Sequence, residues 1–144
     1  MADIVKISDA TALAMHSMVQ LAIDYKQEQH ATTAGISAQF GASRHHLAKV
    51  HQRLSKAGLI KSSRGPAGGI ALARDPKTIT LLDIYEVMEG PMADNSCLFG
   101  HSGCPRCKCV LADFLPRMTA EAKRYFKSTT IRDLAEKSNW KDSE

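Results

Sequence analysis

Between residues 32 and 58 the sequence reads as two short helices with only Gly41-Ala42-Ser43 in which to turn. Thr32 or Thr33 can cap the first helix, which runs through Ile36 to Phe40. Ser43 caps the second, whose inner face carries Leu47, Val50 and Leu54 at i, i+3 and i+7. Gly58 ends it in the manner of a C-terminal glycine. Two helices joined by a three-residue turn containing glycine form a helix-turn-helix. Its second helix carries Arg44, His45, His46, Lys49 and Arg53 on the remaining faces. In this motif the N-terminal residues of the second helix approach base edges in DNA.

The next segment narrows the fold further. Leu59-Ile-Lys-Ser-Ser63 and Ile70-Ala-Leu-Ala73 are strand candidates on either side of Arg64-Gly65-Pro66-Ala67-Gly68-Gly69. A hairpin with a glycine-rich tip and an arginine at its base is the wing of a winged helix. Wings reach along the backbone or into the minor groove, where the negative potential of a narrow groove favours arginine. The loop is not a nucleotide-phosphate cradle: it lacks the Gly-Lys-Ser/Thr ending and runs strand to strand. The DNA-contact candidates are therefore Ser43, Arg44, His45, His46, Lys49, Arg53, Arg64, Gly65, Gly68 and Gly69.

Charge points the same way. Net charge is only +4, but Arg44, Lys49, Arg53, Lys56, Lys61, Arg64, Arg74 and Lys77 fall in one stretch with Asp75 the sole acid. His45, His46 and His51 lie there too. Such a patch suits a phosphate backbone, although a solvated basic face has the same composition. Hydrophobic content of 44% is enough for a core, and the apolar runs are too short to span a membrane. The N-terminus, Met-Ala-Asp-Ile-Val-Lys, has no secretory hydrophobic region, so a cytoplasmic location is expected. No nucleophile stands with an acid/base pair in a recognisable arrangement, so an enzyme is not expected.

Ser8 and Asp9 open a first helix, with Met15, Met18, Val19, Ala22 and Ile23 expected on its core face. Thr80-Leu-Leu-Asp83 resembles a capping box and starts a helix through Ile84, Val87 and Met88, stopped by Gly90-Pro91. From about Val110 another helix begins, with Leu111, Phe114, Leu115 and Met118 in one stripe that Tyr125 and Phe126 extend. Ser128, Thr129 or Thr130 caps a last short helix holding Ile131 and Leu134, and Trp140 falls in a polar tail. The expected fold is mainly α with a small β-hairpin wing: a winged helix-turn-helix plus a long C-terminal dimerisation helix. Residues 1–90 form the DNA-binding unit, 91–109 a cysteine-rich loop, and 110–144 the dimerisation helix and tail. A homodimer on a pseudo-palindromic operator in double-stranded DNA follows from that class.

All 4 cysteines lie in the loop, as Cys97-x6-Cys104-x2-Cys107-x-Cys109. In a reducing compartment such clustering favours metal, cluster or redox chemistry over structural disulfides. The spacing is neither a zinc ribbon's nor a haem attachment site's. It leaves four readings open: an iron–sulfur cluster, zinc, a thiol–disulfide switch, or inert thiols.

The run from Ser43 to Ile70, with its Ser63-Arg-Gly-Pro-x-Gly-Gly wing, resembles the Rrf-two family of bacterial winged-helix iron–sulfur regulators. So does Cys97-Leu-Phe-Gly with the further cysteines and the Cys109-Val-Leu helix start. The likeness spans about Lys6 to Ala135. It implies a homodimeric transcription regulator, with repression the expected sense. Its operator binding follows the state of a 2Fe-2S or 4Fe-4S cluster that senses nitric oxide, redox state or iron supply. The resemblance aligns Cys97, Cys104 and Cys109 with the family's metal ligands. Cys107 is an additional candidate, and His101 a weaker one. The branch resembling the cluster-assembly regulator uses a histidine three residues after the last cysteine, where this chain has Ala112. The branch resembling the nitric-oxide-sensing repressor has an aspartate near the N-terminus that in some members ligates the partner subunit's cluster. Asp9 matches that position, and a helix-start acid would also stand there. Ala48 replaces the acidic base-reading residue of the cluster-assembly branch, so operator preference should differ from that branch.

Overall fold

The computed structural model describes residues 5–66, 68–93, 110–111 and 113–138. The cysteine loop, with Cys97, His101, Cys104, Cys107 and Cys109, lies outside them, as do Ala112 and Trp140. The elements are α1 (Asp9–Lys26), α2 (Thr33–Phe40), α3 (Arg44–Lys56), β1 (Ile60–Ser63), β2 (Gly69–Leu72), a 3-10 turn (Pro76–Thr78), α4 (Leu81–Glu89), α5 (Phe114–Ser128) and α6 (Ile131–Lys137). The winged helix-turn-helix and the C-terminal helix are both present.

Local capping sets most of these boundaries. Ser8 caps α1, its Oγ accepting the Thr11 N–H at 3.2 Å. Thr32 caps α2 and Ser43 caps α3. Thr80/Asp83 and Thr130/Asp133 form reciprocal capping boxes at α4 and α6, with Asp taking the place usual for Glu or Gln. The box also holds the Asp133 carboxyl below the usual range, mainly through the Thr130 N–H.

One core runs through these elements: Met18 and Leu21 of α1, Ile36 of α2, Leu47 and Leu54 of α3, Leu59, Ile79, Ile84 of α4 and Ile131 of α6 are buried. The core face of α1 is rotated from the expected one. Met18 and Ala22 are buried, but Met15, Val19 and Ile23 are only half-buried, and Thr11, Ala14 and Ser17 take their places. Other elements pack around α1 on several sides, and small side chains let them approach closely. Pattern reading weights large apolar residues and so misplaces such a face.

The wing strands pair antiparallel, Ile60 opposite Leu72 and Ser63 opposite Gly69. Ala31, ahead of α2, adds a bridge: its N–H donates to the Ile70 carbonyl at 3.2 Å and its carbonyl accepts the Ile70 N–H at 2.8 Å. The wing is thus hydrogen-bonded to the helix-turn-helix. A Cβ on Gly69 would lie 2.2 Å from the Ala31 oxygen, so the bridge requires glycine there.

The chain closes on itself. The Ile131 N–H donates to the Ile79 carbonyl and the Leu81 N–H to the Thr129 carbonyl, each at 3.0 Å. Through them α6 sits beside the start of α4 and delivers Ile131 to the core. The α5 stripe divides, and the helix starts at Phe114 rather than near Val110. Leu115 and Thr119 face inward, and Phe126 meets Tyr85 of α4 edge-on at 5.6 Å. Leu111 (38% exposed), Phe114 (45%) and Tyr125 (52%) face outward.

His51 belongs to the interior, not to the basic surface. It is 5% exposed, with Nδ1 3.0 Å from the Thr33 hydroxyl and Nε2 3.1 Å from the Ser17 hydroxyl. A neutral ring satisfies both contacts, donating through one nitrogen and accepting at the other. Burial lowers its pKa from 6.5 to about 4. The unfolded chain therefore binds the extra proton first, so this contribution to stability is complete above pH 6.5 and is lost as pH falls towards 4. Urea unfolding between pH 7 and pH 4.5 should cost the native chain up to about 3 kcal/mol more than His51→Gln. Equal losses in both would remove His51 as the cause.

Candidate nucleic-acid interface

The turn before α3 is fixed by its own backbone. Gly41 has φ +60°, ψ 26°, a left-handed conformation that ends α2. The Ser37 hydroxyl donates to the Ala42 carbonyl at 2.7 Å, and the Ala42 N–H donates to the Ser37 carbonyl at 3.0 Å. Ser43 then starts α3, its Oγ accepting the His46 N–H at 3.3 Å. With Leu47, Val50, His51 and Leu54 inward, the helix leaves Arg44, His45, His46, Ala48, Lys49 and Gln52 in solvent. The N-terminus of α3 is exposed, and its dipole adds to the attraction for phosphate.

Arg64 and Gly65 are exposed at the tip of the wing, while Gly68 and Gly69 are half-buried. Gly65 has φ +100°, and its carbonyl accepts the Gly68 N–H at 2.9 Å, closing the tip. A Cβ on Gly68 would lie 2.4 Å from the Ser63 oxygen. Arg64 and Gly65 thus form the reachable part of the wing, and Gly68 and Gly69 shape it.

Arg53 stands apart from the other basic residues of α3. Its guanidinium donates to the Val87 and Met88 carbonyls, both at 3.0 Å. These are among the last carbonyls of α4, which a helix cannot satisfy from its own backbone. The next residue, Glu89, is held from the other side. Its carboxylate accepts the Ser8 N–H at 2.9 Å and the Thr11 hydroxyl at 2.5 Å. Bonding from Ser8 and Thr11 holds its pKa down to about 2. The last turn of α4 therefore ties α3 to the start of α1, just before the chain enters the cysteine loop. Asp9 is exposed beside Ser8, at this same junction.

Residues 7–137 match the family described as "Rrf2: Iron-dependent Transcriptional regulator". The chain belongs to the Rrf2 family. It is 32% identical over 130 residues to the HTH-type transcriptional regulator CymR of Bacillus subtilis, covering 90% of this chain and 89% of that one. The solved structure of CymR, described as the global cysteine regulator of B. subtilis, superposes with a TM-score of 0.79 at 30% identity, covering 94% of this chain and 99% of that one. The structure of T. potens IscR gives a TM-score of 0.75 at 25% identity, covering 97% and 93%.

Rrf2 membership makes the protein a DNA-binding transcriptional regulator and not an enzyme. The structure places Ser43 at the N-cap, Arg44, His45, His46 and Lys49 along the first half of α3, and Arg64 and Gly65 on the wing. Sequence reasoning grouped Arg53 with them, because exposure and spacing cannot show that a side chain reaches another helix. It missed the Glu89 contacts altogether, since Ser8 and Glu89 are 81 residues apart. Two substitutions separate these roles. Lys49→Ala should leave urea stability unchanged and reduce the salt slope of duplex DNA binding by roughly 1. Arg53→Ala should cost about 1–2 kcal/mol of stability in the same urea experiment; an unchanged midpoint would show that the α4 contact contributes nothing.

Proposed function

We propose that this Rrf2 protein is a homodimeric regulator, acting as a repressor, whose operator binding follows the state of an iron–sulfur cluster on the 97–109 loop. One observation carries the reading: all 4 cysteines of the chain fall in that loop, and the loop follows directly on the α4 end to which Arg53 of the recognition helix is bonded. Among the described residues no three His, Cys, Asp or Glu side chains group as a metal site. The donor chemistry of the loop fits a cluster, because soft thiolates select iron–sulfur centres. Cys97, Cys104 and Cys109 would hold it, with either Cys107 or Asp9 of the partner subunit as the fourth ligand. When bound, the cluster supplies reactivity towards nitric oxide, oxidants or iron loss.

The chain's own residues do the rest. Arg44, His45, His46 and Lys49 enter the major groove behind the Ser43 cap, and Arg64 and Gly65 reach the flanking backbone or minor groove. The outward face of α5, with Phe114 and Tyr125, and Leu111 ahead of it bury themselves against a second copy. The dimer sets two recognition helices on half-sites of a pseudo-palindromic operator about one DNA turn (~34 Å) apart. Glu89 and Arg53 hold the end of α4 between α1 and α3, so a change in how the loop leaves α4 is felt at the recognition helix. Because half-site spacing is fixed by DNA geometry, a small shift of α3 is enough to change affinity.

Likeness to CymR, described as the global cysteine regulator, supports a second reading. There the same cysteines act without a cluster, as a thiol–disulfide switch or around zinc. Anaerobic purification separates the two. The cluster reading predicts bound iron, acid-labile sulfide and visible charge-transfer absorbance, all lost in Cys97→Ala and Cys104→Ala. Protein without iron, or carrying zinc in its place, would contradict it and favour the second reading.

A further inference from the structure

At the end of α1 one residue breaks two local rules. The Gln29 N–H donates to the Asp24 carbonyl at 2.9 Å and the Glu28 N–H to the Tyr25 carbonyl at 3.2 Å. That is the Schellman pattern of helix termination, with Glu28 in the position that favours glycine. Glu28 has φ +54° and is the only non-glycine with positive φ among the described residues. Glycine takes the corresponding bends elsewhere, at Gly41 after α2 and Gly58 after α3. A carboxylate is also disfavoured here by its charge, because the C-terminal end of a helix is the negative end of its dipole. Stability alone would therefore select glycine at this position. Residues held against such local costs cluster at functional sites.

What Glu28 gains is a place on a cleft of about 770 Å³ between the end of α1, the 3-10 turn and α6. Ala22, Pro76 and Ala135 give the cleft apolar surface. Its charged residues are Lys26, Glu28, Asp75, Lys77, Arg132 and Glu136. Part of this charge is already engaged: the Arg132 Nε donates to Glu136 Oε1 at 2.8 Å, and the Asp75 carboxylate accepts the Lys77 N–H at 2.9 Å. Among the described residues no ion pair or hydrogen bond engages the side chains of Lys26, Glu28 or Lys77. The cleft thus offers a ligand two cations and one anion.

We propose that this cleft binds a small zwitterion of net negative charge: an α-amino acid with a second acidic group. Its ammonium meets Glu28, its two acidic groups meet Lys26 and Lys77, and its carbon chain lies on the apolar surface. A simple acid leaves Glu28 unanswered, and a singly acidic amino acid leaves one lysine unanswered. The volume lies within the range of small-molecule sites. The site is separate from the cysteine loop, yet it bears on DNA reading. Ala31, three residues after Glu28, is the residue that pairs with Ile70 of the wing. A ligand that fixes the Glu28 turn fixes the start of that segment.

Calorimetric titration of the full-length protein with L-glutamate, L-aspartate and O-phospho-L-serine tests this. At least one should bind saturably, one per chain. Glutarate, which lacks the amine, and 4-aminobutyrate, which lacks the second acid, should bind about ten-fold more weakly or worse. Glu28→Gly should raise the melting temperature by a few degrees while weakening binding about ten-fold or more. Glu28→Gln, which keeps the backbone conformation, should lose binding with little change in melting temperature. No saturable binding of any of the three amino acids would overturn the proposal. So would undiminished binding in folded Glu28→Gln, or glutarate bound as tightly as the amino acids. A lowered melting temperature in Glu28→Gly would show that the glutamate serves the turn itself, and would also overturn it.

Discussion

An α-helix ends in carbonyls that its own backbone leaves unpaired, and the last turn of α4 shows how much can depend on who satisfies them. The Arg53 guanidinium, from the recognition helix, takes the Val87 and Met88 carbonyls. Glu89, one residue on, takes the N–H of Ser8 and the hydroxyl of Thr11 from the opposite side. Charged donors and acceptors make the stronger class of hydrogen bond, and here both sit at one helix end. The α4 terminus is therefore a fixed joint between α1 and α3, and it is also where the chain departs for its cysteines.

The rest of the molecule reads as support for that joint. The His51 ring holds α3 to α1 and α2 through Ser17 and Thr33. The Ala31–Ile70 bridge holds the wing to the same helices. Residues 129–131 return to pair with Ile79 and Leu81, so the C-terminal part of the chain steadies the start of α4. The side chains proposed to meet DNA carry little of this burden: Arg44, His45, His46, Lys49 and Arg64 are exposed. The exposed basic residues and the scaffolding contacts thus fall on different residues of the same short helix.

Much of this was legible in the sequence where the cause is local. Ser8, Ser43, Thr80 and Gly58 act on their immediate neighbours, and each marks a boundary that the structure keeps. The wing was legible because glycine and proline spacing dictates a hairpin. What stayed hidden depends on distant partners. Nothing around Ser17 or Thr11 marks them as core, because their burial is set by the elements that close over α1. His51 looked like one more basic-region residue, because its neutrality comes from a helix far away in the chain. The α5 stripe looked like a single face, and packing against α4 split it into an inward Leu115 and an outward Phe114 and Tyr125.

The central claim is that the end of α4 carries the state of the cysteine loop to the recognition helix through Arg53. A thermodynamic cycle measures this directly. Operator affinity would be determined anaerobically for the protein as isolated and after removal of bound iron, in the native chain and in Arg53→Ala, on a duplex selected by the native protein. The account predicts that the ratio of the two affinities collapses towards one in Arg53→Ala while its salt dependence stays close to native. An undiminished ratio in a folded Arg53→Ala protein would contradict it.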